Sequence, residues 1–359
     1  MLGALLPSYH LTHGQEGILG LTQAAGLIIA SLSAGPVIDV RGNKLALLLG
    51  LLLVAAALFA APNAGGYDGL LAVYFVLGLG GGIVVTGANS LVGTLAPDAR
   101  GSAFNFLNLF FGLGGIVTTW AASYVFTPLT LCYAVASLTV AALLVNAVAK
   151  MPGPSGEIAF RPSEIPGLLS SPTLILLSLF LFLYVSCEVG VWNWLKTYLM
   201  SAGFTAQRAG GVVSYGFAFG ILVGRVVVSR ILTRVKNITV LMASAVLITI
   251  TTFAVLQKLG PTLLTVAVFC AGLAMAPVFP TALATVADTT PRGTATALGV
   301  AITCGWIGLA VSSRVIGYIA DRTNLHDGLL LLPAFGLAMV LVGVVLRAAL
   351  KRPSPVTVW

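Results

Sequence analysis

The chain has 359 residues, 58% of them hydrophobic and only 8% charged, with a mean hydropathy of +1.04. Apolar residues spread that evenly exclude a soluble globular core and predict an all-α protein that crosses a membrane many times. The formal net charge of +8 would point to nucleic acid in a soluble protein, but here the basic residues fall between apolar runs, where they orient helices in a bilayer, so no nucleic-acid partner is implied.

At about 20 residues per crossing, apolar segments lie near 17–39, 45–62, 69–92, 102–125, 129–149, 171–199, 209–231, 237–256, 262–285, 294–319 and 328–349, eleven in all. The stretch before them, MLGALLPSY, is apolar but too short to span and reads as the last turns of a helix whose beginning is absent. It has no basic region ahead of an apolar core, so it does not read as a signal peptide. Cys132, Cys187, Cys270 and Cys304 all lie inside apolar runs without paired spacing and read as small buried hydrophobes. His10, His13 and His326 fall in outer loops, and no nucleophile, metal spacing or phosphate loop accompanies them, so neither an enzyme nor a bound cofactor is expected.

An internal repeat organises the chain. NSLVGTLAPDARGSA, residues 89–103, and TALATVADTTPRGTA, residues 281–295, share an apolar segment, a Pro and an Arg-Gly-(Ser/Thr)-Ala step, with Arg292 standing 192 positions after Arg100. The expected domains are a helical half over 1–149, a proline-rich linker over 150–170 and a six-helix half over 171–352. Superposing the halves leaves the first helix incomplete, by about 20 residues upstream of Met1. With MLGALLPSY ending outside, 12 Lys and Arg residues fall on the inner side (Arg41, Lys44, Arg100, Lys150, Arg161, Arg230, Arg234, Lys236, Arg292, Arg347, Lys351 and Arg352) and 4 on the outer (Lys196, Arg208, Lys258 and Arg322). That bias places the C-terminus in the cytoplasm of a multi-pass cell (inner) membrane protein.

Residues 35–44, GPVIDVRGNK, close the first complete segment. They resemble the loop signature of the major facilitator superfamily, Gly-x-x-x-Asp-(Arg/Lys)-x-Gly-x-(Arg/Lys)-(Arg/Lys). Gly35, Asp39, Gly42 and Lys44 match, Val40 stands where a basic residue is usual with Arg41 beside it, and Leu45 replaces the last basic position. A carboxylate at a helix end can pair with basic groups or a helix N-terminus across the interface between halves and release them in another conformation, so these residues are expected to gate. The second half keeps a weaker copy, GRVVVSRILTRVKN, with Gly224 for Gly35 and Val228 for the Asp. The resemblance implies a major facilitator fold of two six-helix pseudo-symmetric halves.

The stretch 181–199, LFLYVSCEVGVWNWLKTYL, carries one carboxylate, Glu188, deep in an apolar run. A charge at such depth costs roughly 2.5–3.5 kcal/mol on insertion scales and marks a functional site. Together with Asn89 ahead of a Pro-containing loop and with Asn105 and Asn108, the pattern Tyr184, Glu188 and Trp194 is similar to the sugar-transporting branch that includes the fucose permeases and glucose/galactose symporters. Asn108 stands where that branch has Gln, and Val85 stands where the fucose permeases have an acid; that branch's first-helix acid would fall in the missing segment. Coupling to a proton or sodium ion is therefore expected at Glu188, since a carboxyl removed from water can load and release a proton near neutral pH.

Asn105 and Asn108 share a helix face and could present amides to sugar hydroxyls, or could equally bond a neighbouring helix. Asn193 lies beside the same site in sequence. Trp192 and Trp194 face different directions, and Trp194 is the one that matches the branch pattern. Arg225 is expected to snorkel or to pair at an interface; an anionic solute or a salt bridge would explain Arg314. The expected function is cation-coupled transport of a small polar solute, a sugar, by a monomer in the lipid bilayer. The alternatives are efflux of a drug or metabolite, against which Gly112–Thr119 lacks the proline usual in antiporters, or a defective, non-transporting member of the fold.

Overall fold

The computed structural model describes residues 13–153, 163, 165–257 and 259–351. The opening stretch with His10, residues 154–162 and 164 of the expected linker with Arg161, and Lys258 and Arg352 lie outside these residues. The first half contains α1 (His13–Arg41), α2 (Asn43–Ala60), α3 (Tyr67–Leu95), α4 (Arg100–Tyr124) and α5 (Pro128–Val148). After the short α6 (Ile165–Leu169) come α7 (Pro172–Ser201), α8 (Ala206–Gly211), a π-helical stretch Val212–Ala218 and its continuation α9 (Phe219–Ile231). The chain closes with α10 (Asn237–Val255), α11 (Pro261–Met275), α12 (Val278–Thr289), α13 (Thr294–Arg322), α14 (Leu325–Leu329) and α15 (Leu331–Ala349).

Helices are what the composition demands, because a backbone in hydrocarbon finds no water and must bond to itself. Ten described segments are long and apolar enough to cross a membrane. The 25-residue α4 has the length but is diluted by Arg100, Asn105 and Asn108, and its position makes it the eleventh. Leu138, Phe111 and Leu341 are between 63 and 70% exposed, a degree that suits side chains facing lipid rather than water. The α11–α12 pair is a single crossing interrupted at Pro277, which ends the helical ladder after Ala276; Pro280 falls in the first turn of α12, where a missing N–H is harmless.

The pseudo-symmetry is visible in how the helices cross. A Cβ on Gly26 of α1 would strike the Phe75 carbonyl of α3, and one on Gly78 would strike the Gln23 carbonyl. In the second half, Gly220 of α9 meets the Phe269 carbonyl of α11 and Gly272 meets the Phe217 carbonyl, each residue standing 194 positions after its counterpart. Paired glycines let two backbones touch, and the same touch recurs in both halves. The largest core fills the second half around Phe180, Leu181, Tyr184 and Met275 and extends to Phe104 of α4.

The two halves meet along α1 with α13 and along α4 with α9 and α12. Their connecting hydrogen bonds cluster at the end where α1 stops and α13 starts. Asp39 Oδ1 accepts from the Ala295 amide at 3.0 Å, and Oδ2 accepts from the Thr296 amide at 2.8 Å and the Thr296 hydroxyl at 2.6 Å. Arg100 Nη1 pairs with Asp288 Oδ1 at 3.0 Å, and the Ser102 hydroxyl donates to the Ser229 carbonyl at 2.8 Å. Higher on the same seam, Trp306 Nε1 donates to Ser31 Oγ at 3.2 Å. This end is clasped.

Candidate functional site

The clasp is built on small residues. Gly35, one turn before Asp39, is so close to the first turn of α13 that a Cβ would come within 2.5 Å of Thr296 Cα. This contact brings the Asp39 carboxylate onto the free amides of the α13 N-terminus, where both hydrogen bonding and the helix dipole favour a negative charge. Gly42 is the single residue between α1 and α2 and has φ 84°, a conformation that glycine adopts without strain. Lys44 donates from Nζ to the Ala149 carbonyl at 3.0 Å, tying α2 to the end of α5, and Arg41 is exposed in the last turn of α1.

Above the clasp, Tyr184, Glu188 and Trp192 stand four residues apart on α7 and share one face. Tyr184 is fully buried, Glu188 is partly exposed and Trp192 is 42% exposed, so this face opens away from the clasped end. Tyr184 and Trp192 flank the Glu188 carboxyl. The Tyr184 hydroxyl makes no bond of good geometry and is buried. The Trp192 ring packs edge-on against Phe217, with centroids 5.1 Å apart, so the π-helical stretch forms the wall beside it. Asn193 is exposed and engaged with a neighbour. Trp194 points elsewhere, onto Gly317 of α13, with its Nε1 buried and unpartnered. The indole beside Glu188 is therefore that of Trp192, whereas the sequence pattern favours Trp194.

The three asparagines divide. Asn105 on α4 donates from Nδ2 to Thr281 Oγ1 of α12 at 3.1 Å and to the Gly101 carbonyl at 2.9 Å, which makes it part of the seam between halves. Asn89 on α3 donates to the Val85 carbonyl at 2.8 Å, and the Oδ1 atoms of both Asn89 and Asn105 are buried without a partner. Asn108, one turn above Asn105, donates to the Phe104 carbonyl at 2.9 Å. Its own carbonyl accepts from Nη1 of Arg225.

Of the two placements expected for Arg225, snorkelling and pairing at an interface, the second is the one observed. Arg225 is only 6% exposed and lies inside the seam between α9 and α4, where it acts electrostatically on both Glu188 and Tyr184. Its Nε is buried without a partner. No signal in the sequence joins Arg225 to a carboxylate 37 positions away on another helix. Arg314, by contrast, is exposed on α13.

A site with one carboxyl, one guanidinium, a phenol, an indole and amide groups, set between halves clasped at one end, can bind a polar solute and a cation. Comparison with known proteins agrees with the architecture. A solved structure of a point variant of the Escherichia coli fucose:proton symporter FucP superposes with a TM-score of 0.82 over 96% of this chain and 93% of that one, at 19% identity. A FucP structure in the outward conformation gives 0.81 over 97% and 94%, at 20% identity. The human organic anion transporter MFSD10 gives 0.77 over 91% and 83%, at 18% identity. Bypass of stop codon protein 6 of Saccharomyces cerevisiae is 25% identical across 90% of this chain and 74% of its own length. The Major Facilitator Superfamily model matches residues 1–313. This chain belongs to the major facilitator superfamily.

Proposed function

We propose that this protein is a secondary active transporter that moves a small polar solute, a sugar or similar polyhydroxylated molecule, by cation-coupled alternating access. Glu188 is the group that loads the coupling ion, a proton or sodium. The observation that carries this reading is the position of Glu188: a carboxyl deep in α7, facing Tyr184, Trp192 and the charge of Arg225, between halves that are clasped at one end. An acid at that depth is costly unless its ionisation is used. One solved relative of the same fold is a fucose:proton symporter, and that likeness supports the same substrate class and ion.

In the proposed cycle the solute enters from the end opposite the clasp. Asn108, Tyr184, Asn193 and Trp192 bind it, Asn89 and Asn105 contribute their open carbonyl oxygens as the seam loosens, and Glu188 takes the cation. The clasp of Asp39 on the start of α13, with Gly35 packed beneath it, then opens as the other end closes, while Arg41, Gly42 and Lys44 hold the α1–α2 turn that carries it. The Lys and Arg distribution makes the clasped end cytoplasmic, in a monomeric multi-pass protein of the cell (inner) membrane. Glu188→Gln keeps the shape of the side chain and removes its titration. Proteoliposomes carrying this variant should lose gradient-driven accumulation while retaining solute counterflow. Wild-type accumulation by the variant would refute the role of Glu188.

A further inference from the structure

We propose that the solute carries a carboxylate and that Arg225 is the group that receives it; this narrows the transporter reading above and rests on it. Arg225 presents five N–H donors in a planar fork. One nitrogen, Nη1, is held by the Asn108 carbonyl, and Nε is buried with no partner at all. The residue is only 6% exposed, and Nε is shut off from water. Glu188 is within electrostatic reach but no ion pair joins the two within 4.0 Å. The fork is thus positioned and unfilled.

The surrounding helix leaves it room. A Cβ on Gly112 of α4 would stand 3.2 Å from Arg225 Nη1, so any larger residue there would crowd the guanidinium. Among the described residues, the groups that act on Glu188 are Arg225 from α9 and Tyr184 and Trp192 from its own helix. While Glu188 is ionised it offsets the charge of Arg225. Once a proton from the open side binds a Glu188 carboxyl oxygen, the guanidinium has no counter-charge, and a carboxylate matches its fork in charge and in planar geometry. Proton and anion therefore enter together, and the carrier moves no net charge. The hydroxyls of the solute fall to Asn108, Tyr184 and Trp192. The class is a hydroxylated monocarboxylate, an aldonic or uronic acid.

The test uses the full chain, purified and reconstituted in proteoliposomes with an inward proton gradient. Labelled D-gluconate and D-glucuronate are compared with D-glucose and L-fucose. Accumulation of an acid at least tenfold above the neutral sugars is expected. It should be unaffected by a hundredfold excess of glucose and by an imposed membrane potential. Arg225→Lys, which keeps the charge but loses the fork, should raise KM for the acid tenfold or more with kcat little changed, and Arg225→Gln should abolish uptake. The wild-type competition and potential measurements stand even if a variant fails to fold. Accumulation of a neutral sugar, with gluconate and glucuronate neither moving nor competing, would overturn the carboxylate proposal and leave the transporter reading standing. Failure of every acid and every neutral sugar to accumulate would overturn both.

Discussion

Replacing Asp39 with Asn should open the clasped end. The carboxylate accepts three hydrogen bonds from the start of α13, and two of them converge on Oδ2. An Asn in the same rotamer keeps an oxygen for the Ala295 amide but turns an NH2 toward the Thr296 amide. The Thr296 hydroxyl can rotate to accept from that NH2, whereas the amide cannot and is left orphaned. A hydrogen bond to a charged acceptor contributes about 1.5–3 kcal/mol, and the attraction of a negative charge to a helix N-terminus adds about 0.5–1 kcal/mol. The clasped state should lose about 2–4 kcal/mol, a shift of roughly 30- to 1000-fold in the equilibrium between clasped and open forms. Spin labels at Leu95→Cys and Arg292→Cys, at the exposed ends of α3 and of the α12–α13 loop, read this directly by double electron–electron resonance in a background without the native cysteines. The Asp39→Asn protein should show a new population at longer distance, and Thr296→Ala a smaller shift of the same sign. Identical distance distributions in wild type and Asp39→Asn would refute the reasoning.

The helix crossings give a second prediction. Gly78→Ala and Gly272→Ala each drive a Cβ into a backbone carbonyl of the facing helix and should destabilise by about 1–3 kcal/mol, read as a lower unfolding midpoint in detergent. Gly114→Ala has nothing within 4 Å and should be neutral or slightly stabilising; equal losses at all three positions would contradict the close-packing account. The two indoles give a third. A transported solute should change tryptophan fluorescence in wild type and in Trp194→Phe but not in Trp192→Phe, because Trp192 is the indole at Glu188; the opposite pattern would place the solute on the α13 side.

Much of the fold was legible because a bilayer leaves few choices. A run of apolar residues of spanning length has to be a helix, so the eleven expected segments correspond to the crossings of α1–α5 and α7–α15, with boundaries displaced by a few residues where helices extend past the apolar core. The segment expected over 262–285 is one crossing broken at Pro277, a break whose cause is the ring that replaces the N–H. The π-helical stretch at Val212–Ala218 did not, because a one-residue change in hydrogen-bond register depends on packing that hydropathy does not encode. The loop repeat around Arg100 and Arg292 was visible as text, while the crossing of Gly26 with Gly78 and of Gly220 with Gly272 required knowing which helices touch.

The candidate site was legible residue by residue and illegible as an arrangement. Glu188 stands out because any carboxylate in such a run is costly. That Trp192 rather than Trp194 stands beside it was legible in the spacing, since Trp192 is one helical turn on from Glu188 whereas Trp194 is six residues on and packs against Gly317 of α13. Arg225 near a helix end leaves snorkelling and interface pairing equally open, and the sequence does not name the partner. Its bond to the Asn108 carbonyl joins positions 117 apart in sequence and arises only when α4 and α9 pack together.

Concentrative uptake by the wild-type protein, measured with an imposed proton gradient, with a sodium gradient and with neither, tests the central claim most directly. For a solute from the acid and neutral sugar panel, accumulation above the external concentration should occur only with the gradient of the coupling ion and should collapse when that gradient is dissipated. Accumulation that persists unchanged without any gradient would contradict coupled transport through Glu188.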